Sequence, residues 1–171
     1  MRVTIETERL ILRPMTPDDA EAVYKWGSDP LVNKYLPYPL YTNVDDVEKW
    51  LRGRNTNDPD NYDLGITLKD TGELIGSGGL TYKGSDTWEV GYNLRRDMWG
   101  KGYVPEAMRA IIEHVKRVRG IKVLTGIYAS ENTKSRRVLE KLGLHYAGNS
   151  VHEKMDGSAV YPGELYTKKF D

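Results

Sequence analysis

One stretch of the sequence, residues 88–118, joins a strand pattern, a glycine-containing loop and the clearest helix pattern in the chain. Residues 88–94 are strand-like, and residues 99–104, Trp-Gly-Lys-Gly-Tyr-Val, form a tight loop. The apolar residues after the loop recur every three or four positions and predict one buried helix stripe: Val104, Ala107, Met108, Ile111, Ile112, Val115 and Val118. Glycines ahead of a helix N-terminus let a ligand approach backbone N–H groups that have no partner within the helix. The stretch therefore predicts an anion site, most naturally for phosphate.

The glycine pair is a weak signal by itself, because many such loops are only tight turns. The chain has no G-x-x-x-x-G-K-[ST] sequence, and the loop lacks a third glycine that would complete G-x-G-x-x-G. These absences argue against a P-loop NTPase and against a dinucleotide-dependent oxidoreductase.

The composition is typical of a single domain, residues 1–171. With 171 residues, 39% of them hydrophobic, the chain can form one core. Its 25 basic residues balance its 25 acidic ones, so nothing in the net charge indicates nucleic-acid or membrane partners. No apolar run could cross a bilayer and residues 1–6 lack the apolar core of a signal peptide, so we expect a cytoplasmic protein. No cysteine is present and the three histidines are scattered, so no metal site is expected.

Strand and helix patterns predict an α+β fold. Helix N-caps are expected at Thr16, Asn43 and Asn132, and Gly143 suits the end of the last helix. Strands are expected at residues 9–13, 62–68, 73–80, 88–94, 121–128 and 164–170. Strand, helix and strand across residues 88–128 form a parallel crossover in a mixed, mainly antiparallel sheet, flanked by about four helices. The tyrosines and prolines of residues 35–41 predict either a packed loop or one wall of a substrate cleft.

Several motifs occur in order along nearly the whole chain. They are E-R-L-I-L-R-P at residues 8–14, E-V-G-Y at 89–92, W-G-K-G-Y-V-P-E-A at 99–107 and N-T-K-S-R-R-V-L-E-K-L-G-L at 132–144. Together they resemble the GCN5-related N-acetyltransferase (GNAT) superfamily, and within it the branch of ribosomal-protein N-terminal acetyltransferases. The resemblance implies a central parallel strand pair that splays apart, and an enzyme that passes the acetyl group of acetyl-CoA directly to a primary amine.

The resemblance also implies which residues hold acetyl-CoA. The pantetheine arm is expected along Tyr92, Asn93 and Leu94, in the gap between the central strands. The pyrophosphate is expected on the loop of Trp99, Gly100, Lys101, Gly102, Tyr103 and Val104, where backbone N–H groups point outward. Trp99 and Val104 depart from the general R/Q-x-x-G-x-G/A pattern of the superfamily, but backbone donors do not depend on the side chain. Asn132 and Arg137 are further candidates for pantetheine and phosphate contacts, with a helix cap and a solvated helix face as their structural alternatives.

Two residues are candidates for catalysis. The superfamily often places a proton-donating tyrosine where this chain has Leu139. In the branch that the chain resembles, a serine one turn into the same helix lies near the thioester sulfur, so the resemblance implies Ser135 as the proton donor or hydrogen-bond partner of the departing thiolate. Its structural alternative is a hydroxyl bonded to the backbone one turn back. Glu89 is the expected base that neutralises the amine, directly or through water, and its alternative is a strand glutamate paired with a nearby cation. Glu106 is expected to serve the helix dipole.

Three functions remain open from the sequence. The leading one is acetylation of a protein N-terminal α-amine, since such an amine has a pKa near 8 and is partly neutral already. The second is acetylation of a small amine, such as a polyamine, an aminoglycoside or an amino acid; Asp45, Asp46, Asp58 and Asp60 could line an acidic cleft for a polyamine. The third is a non-catalytic acyl-CoA-binding module. Exposed strands near the C-terminus make a homodimer plausible.

Overall fold

Eight strands form one mixed sheet in the computed structural model, which describes residues 3–171. They are β1 (Ile5–Glu6), β2 (Leu10–Arg13), β3 (Asn61–Leu68), β4 (Leu74–Gly84), β5 (Thr87–Leu94), β6 (Val123–Ala129), β7 (His145–Glu153) and β8 (Val160–Lys169). Their order across the sheet is β1-β2-β3-β4-β5-β6-β8-β7, and of these neighbouring pairs β5 and β6 alone are parallel. The predicted α+β fold with a central parallel pair is thus confirmed. Met1 and Arg2, which begin the segment considered as a signal peptide, lie outside the described residues.

Five α-helices among residues 3–171 accompany the sheet. They are α1 (Ala20–Gly27), α2 (Pro30–Asn33), α3 (Val44–Gly53), α4 (Tyr103–Arg119) and α5 (Thr133–Lys141). The predicted cap at Asn43 is present, since its side-chain oxygen accepts a hydrogen bond from Asp46 N at 2.9 Å. Helix α2 is one more helix than predicted, and it starts in the same way, with the Asp29 carboxylate accepting from Leu31 N at 3.0 Å. None of the helices in the described range is long and apolar enough to span a membrane.

The helices cover both faces of the sheet. Helix α4 buries its predicted stripe, except that Val118 in the last turn is 44% exposed. Gly78 of β4 faces this helix, because a Cβ there would lie 2.7 Å from Met108 Sδ. Gly65 of β3 faces Met15, at the start of the layer that contains α1 and α3. Since Gly78 pairs with Leu64, the neighbour of Gly65, and successive strand residues alternate, the two helical layers lie on opposite faces.

The C-terminal hairpin completes the sheet in a non-sequential order. Strand β8 lies between β6 and β7, and it pairs with β6 from Val123 to Ala129. The sequence predicts the closing strand but not this insertion. As a result β7, and not the last strand of the chain, forms this edge of the sheet.

Candidate active site

The parallel strands β5 and β6 pair over only part of their length. Their ladder runs from Thr87 with Val123 to Glu89 with Thr125, although β5 continues to Leu94 and β6 to Ala129. The strands therefore diverge, and a cleft of about 1120 Å³ opens where the ladder ends. This geometry agrees with the predicted splay.

Most of the predicted site residues line this cleft. The lining includes Glu89, Tyr92, Asn93, Leu94, Trp99, Gly100, Gly102, Tyr103, Val104, Asn132, Ser135 and Arg137. Lys101 does not line it; instead its carbonyl oxygen accepts a hydrogen bond from Arg9 Nη1 at 2.9 Å. Residues that lie far apart in sequence are thus brought around one cavity.

The glycine loop is open toward the cleft. Gly100 has φ 74° and Gly102, the N-cap of α4, has φ 81°, a left-handed conformation that favours glycine. A Cβ on Gly100 would have no heavy atom within 4 Å, and one on Gly102 would meet only Arg9 Nη2, at 3.4 Å. An anion can therefore approach the backbone closely at the positive end of a 17-residue helix.

A carboxylate one turn into that helix is neutralised by the residues just before strand β2. Glu106 accepts hydrogen bonds from the Thr7 hydroxyl at 2.7 Å, Arg9 N at 2.9 Å and Arg9 Nε at 2.7 Å. Partial burial opposes ionisation, but these donors prevail and lower the pKa of Glu106 below its usual value. The Arg9 guanidinium also stacks on Tyr103, 4.4 Å from the ring centroid. The Arg9 guanidinium therefore contacts the loop through the Lys101 carbonyl oxygen. It also compensates the negative charge of Glu106, which would otherwise repel a bound anion.

Ser135 faces β5 across the cleft. The Asn132 side chain caps α5 and accepts from Ser135 N at 3.3 Å, as predicted for a cap. Ser135 Oγ lies 2.7 Å from the Tyr92 hydroxyl, which also lies within donating distance of the Ser135 carbonyl oxygen, at 3.1 Å. Leu139 is 1% exposed, so the position of the superfamily's tyrosine belongs to the core here. The hydroxyl of Tyr92 is a site feature that the sequence does not predict, because only its place along the arm is expected.

The two faces of β5 present different groups to the cleft. Tyr92 pairs with Gly78 and lies on the α4 face, whereas Asn93 pairs with Ser77 and lies on the opposite face. There the Asn93 amide donates to the Tyr38 hydroxyl at 2.8 Å. Glu89, four residues before Asn93, shares that second face, and its Oε1 is 3.6 Å from Lys83 Nζ. The ion pair expected as the alternative for Glu89 is present, but the carboxylate also lines the cleft.

The tyrosine and proline segment and the C-terminal hairpin close this second face. Tyr35, Leu36 and Pro37 line the cleft together with Val151, His152 and Glu153, and the Tyr35 carbonyl oxygen contacts His152 Nε2 at 2.5 Å. The buried Lys154 ammonium donates to Asn33 O at 2.9 Å and to Leu36 O at 2.8 Å. Its desolvation lowers the pKa of Lys154. Both interpretations of residues 35–41 therefore hold, since the segment is packed and is also a cleft wall. No sequence pattern identifies Lys154 as the residue that joins the hairpin to Asn33 and Leu36.

Comparison with known proteins places these features in a family. The acetyltransferase (GNAT) domain family matches residues 9–145. The uncharacterized N-acetyltransferase p20 of Bacillus licheniformis is 30% identical over 149 residues, which cover 85% of this chain and 84% of that protein.

Two solved structures are similar over nearly their whole length. The microcin C7 self-immunity acetyltransferase MccE, in complex with acetyl-CoA and AMP, has a TM-score of 0.83 at 19% identity and covers 96% of this chain and 94% of its own. RimL, the ribosomal L7/L12 α-N-protein acetyltransferase in complex with coenzyme A, has a TM-score of 0.79 at 17% identity and covers 99% of both chains. At these identities the likeness is one of fold.

Proposed function

We propose that this chain, which belongs to the acetyltransferase (GNAT) family, transfers the acetyl group of acetyl-CoA directly to a protein N-terminal α-amine. It is an N-acetyltransferase by family, and the proposal adds the acceptor and the roles of individual residues. The observation that carries it is the cleft between the diverging strands β5 and β6, which joins the glycine loop on one side to Glu89 on the other.

The cofactor is proposed to enter from the α4 face. Backbone N–H groups of residues 100–104 would bind the pyrophosphate, and Tyr92, Asn93 and Leu94 would lie along the pantetheine arm. Asn132 and Arg137, both on the cleft wall, would add contacts to the arm and to a phosphate. No group of His, Asp or Glu among residues 3–171 is arranged to hold a metal ion, and the proposed chemistry uses none.

Glu89 lies on the second face of β5, whereas Ser135 contacts Tyr92 on the α4 face, so the proposed base and the proposed proton donor would approach the thioester from different sides. Glu89 would accept the amine proton on the acceptor face, directly or through water, while the amine nitrogen forms its bond to the thioester carbonyl carbon. The C–S bond then breaks, and Ser135 would give its proton to the departing sulfur on the α4 face. Each group thus needs to act on one side of the cleft only.

The acceptor is proposed from two considerations. An α-amine has a pKa near 8, against about 10.4 for a lysine side chain, so a larger fraction of it is already neutral near pH 7. It can therefore react with less help from Glu89, a base that is already paired with Lys83. RimL, which has the same fold, is named for an α-amine acceptor. The four aspartates at 45, 46, 58 and 60 do not line the cleft, and Asp60 pairs with Arg119 at 2.8 Å, so these four residues give no support to a polyamine as the acceptor.

A thiol-release assay with mass analysis of products tests the acceptor. The panel contains peptides with a free N-terminus, the same peptides with a blocked N-terminus and an internal lysine, polyamines, aminoglycosides and amino acids. The proposal requires acetylation of the free α-amine and none of the blocked peptide. Faster transfer to a small amine would establish the second alternative. Thermal stabilisation by acetyl-CoA without turnover on the whole panel would establish a non-catalytic module.

Further proposals concern the domain organisation, location, partners and oligomeric state of the enzyme. The balance of 25 basic and 25 acidic residues gives the chain no net attraction to nucleic acid or to an anionic membrane, and we propose a single-domain protein that acts in the cytoplasm. The position of β7 at the edge of the sheet supports a homodimer, which size-exclusion chromatography with light scattering would test.

Replacing Glu89 by glutamine is expected to slow turnover near neutral pH by roughly a hundredfold, in the range of general base catalysis. Acetyl-CoA affinity should be nearly unchanged, because the carboxylate lies away from the glycine loop. The deficit should shrink as the pH rises through the amine pKa, since solvent then deprotonates the acceptor. Steady-state rates across pH 6–10 provide the measurement.

Lys83→Met is the matched control for this substitution, because it removes the ion pair and keeps the carboxylate. If Glu89 only pairs with Lys83, both variants should have the same small effect. A pH–rate profile of Glu89→Gln equal to that of the unmodified enzyme would refute its assignment as the base.

A further inference from the structure

A pair of hydroxyl groups spans the cleft between β5 and α5. Tyr92 reaches from the strand, and its oxygen lies 2.7 Å from Ser135 Oγ and 3.1 Å from the Ser135 carbonyl oxygen. Both residues line the cleft on the face where the thioester is proposed to lie. The distance is that of a good O–H···O hydrogen bond, so the two hydroxyl protons cannot be arranged independently.

Hydrogen-bond counting limits what each hydroxyl can do. A serine or tyrosine hydroxyl carries one proton to donate, while a carbonyl oxygen only accepts. If Tyr92 donates its one proton to the Ser135 carbonyl oxygen, Ser135 must donate to Tyr92, and its proton is then held by the phenol oxygen and cannot pass to a leaving sulfur. If Tyr92 donates to Ser135 Oγ, the Ser135 proton is free to point into the cleft. The Tyr92 hydroxyl lies closer to Ser135 Oγ, at 2.7 Å, than to the Ser135 carbonyl oxygen, at 3.1 Å, and the shorter distance is that of a good O–H···O bond, so the geometry favours donation from Tyr92 to Ser135 Oγ.

The environment of Tyr92 keeps that donor available. Enclosure of its hydroxyl raises the pKa of Tyr92 above its ordinary value, although the bond to Ser135 opposes the change. The phenol is therefore protonated throughout the neutral range. Leu139, which replaces the superfamily's tyrosine, offers no hydroxyl, so Tyr92 supplies the phenol from the facing strand.

We infer that Tyr92 is a positioning residue that acts through Ser135, donating to Ser135 Oγ so that the serine proton is directed at the departing sulfur. This inference rests on the proposed role of Ser135. As the C–S bond breaks, the sulfur takes the Ser135 proton and Ser135 Oγ takes the Tyr92 proton. Water in the open cleft then returns a proton to the phenolate. The two hydroxyls thereby act together as one general acid, because the proton from Tyr92 prevents an alkoxide from forming on Ser135.

Tyr92→Phe tests the inference, because it removes the hydroxyl and keeps the ring. We expect kcat to fall by roughly tenfold or more, within the range of general acid catalysis. KM for acetyl-CoA and the thermal shift with acetyl-CoA should stay nearly unchanged, since no donor on the glycine loop is altered. Tyr146→Phe is the matched control: its hydroxyl bonds Asn149 Oδ1 at 2.9 Å, away from the cleft, so kcat should not change.

A double-mutant cycle separates a positioning role from a structural one. If Tyr92 acts through Ser135, the double variant Tyr92→Phe with Ser135→Ala should be no slower than Ser135→Ala alone. Multiplying losses, or a normal kcat for Tyr92→Phe, would overturn the inference while leaving Ser135 as the donor. A normal kcat for Ser135→Ala would instead remove the proposed donor and this inference with it. Acetyl transfer by the unmodified enzyme reports separately on the proposed function.

Discussion

Gly102→Glu is expected to abolish the thermal stabilisation that acetyl-CoA gives to the unmodified protein. A ligand that binds only the folded state stabilises it by about 2.7 kcal/mol at a hundred times its Kd. For a chain of this size that is a shift of roughly 5–11 °C in Tm. The variant places a carboxylate at the N-cap of α4, where the pyrophosphate is proposed to bind, and so replaces an attractive site by a like charge. Thermal unfolding with and without acetyl-CoA provides the measurement.

Two controls separate charge, volume and backbone strain. Gly102→Gln has nearly the same volume without the charge, so any binding it retains measures the steric part. Gly72→Glu adds a carboxylate at a glycine with a similar φ of 72°, where a Cβ would have no heavy atom within 4 Å, in the turn between β3 and β4. Its Tm should fall through strain, but its response to acetyl-CoA should be complete. An undiminished shift in Gly102→Glu would mean that the loop is a turn and not the pyrophosphate site.

Local patterns were sufficient to predict most of the fold. The apolar spacing after residue 103 locates α4, and the cap at Asn43 locates α3, because both signals depend on residues within a few positions of each other. Helix α2 was missed although Asp29 and Pro30 form a start signal, since four residues give no periodicity. The insertion of β8 between β6 and β7 depends on contacts between distant strands, which no local pattern contains.

The residues of the site also fall into two groups, those that a local pattern or the family resemblance predicts and those that depend on contacts between distant parts of the chain. The glycine loop could be predicted because its chemistry lies in the backbone, and the resemblance to a family added Ser135 and the course of the arm. The contact of Tyr92 with Ser135 joins residues 43 positions apart, and that of Lys154 with Asn33 joins residues 121 positions apart. Side-chain contacts at such separations depend on which face each residue occupies once the sheet has formed.

Gly79→Ala is expected to cause the largest loss of stability of any substitution considered. Gly79 lies on β4 opposite Asp63 of β3 and Gly91 of β5, in the centre of the sheet that positions the cleft. A Cβ there would overlap the carbonyl oxygen of Tyr62 and come within 2.9 Å of Asp63 Cα, and neither backbone atom can move without breaking the ladder. We expect a loss of about 3 kcal/mol or more, at the upper end for single substitutions. Tm should then fall by roughly 6–12 °C.

Gly91→Ala is the matched control, since Gly91 pairs with Gly79 across the same ladder but a Cβ there would have no heavy atom within 4 Å. Its free energy of unfolding should change by no more than about 0.5 kcal/mol, as for a surface substitution, and its Tm by roughly 1–2 °C. Because Gly91 also lines the cleft, acetyl transfer by this variant tests whether the open space is used by the acceptor. Equal loss of stability in both variants would contradict the steric argument, because the two positions share strand context and differ in the room available. A stable Gly79→Ala protein would mean that β3 and β4 can separate enough to admit a methyl group.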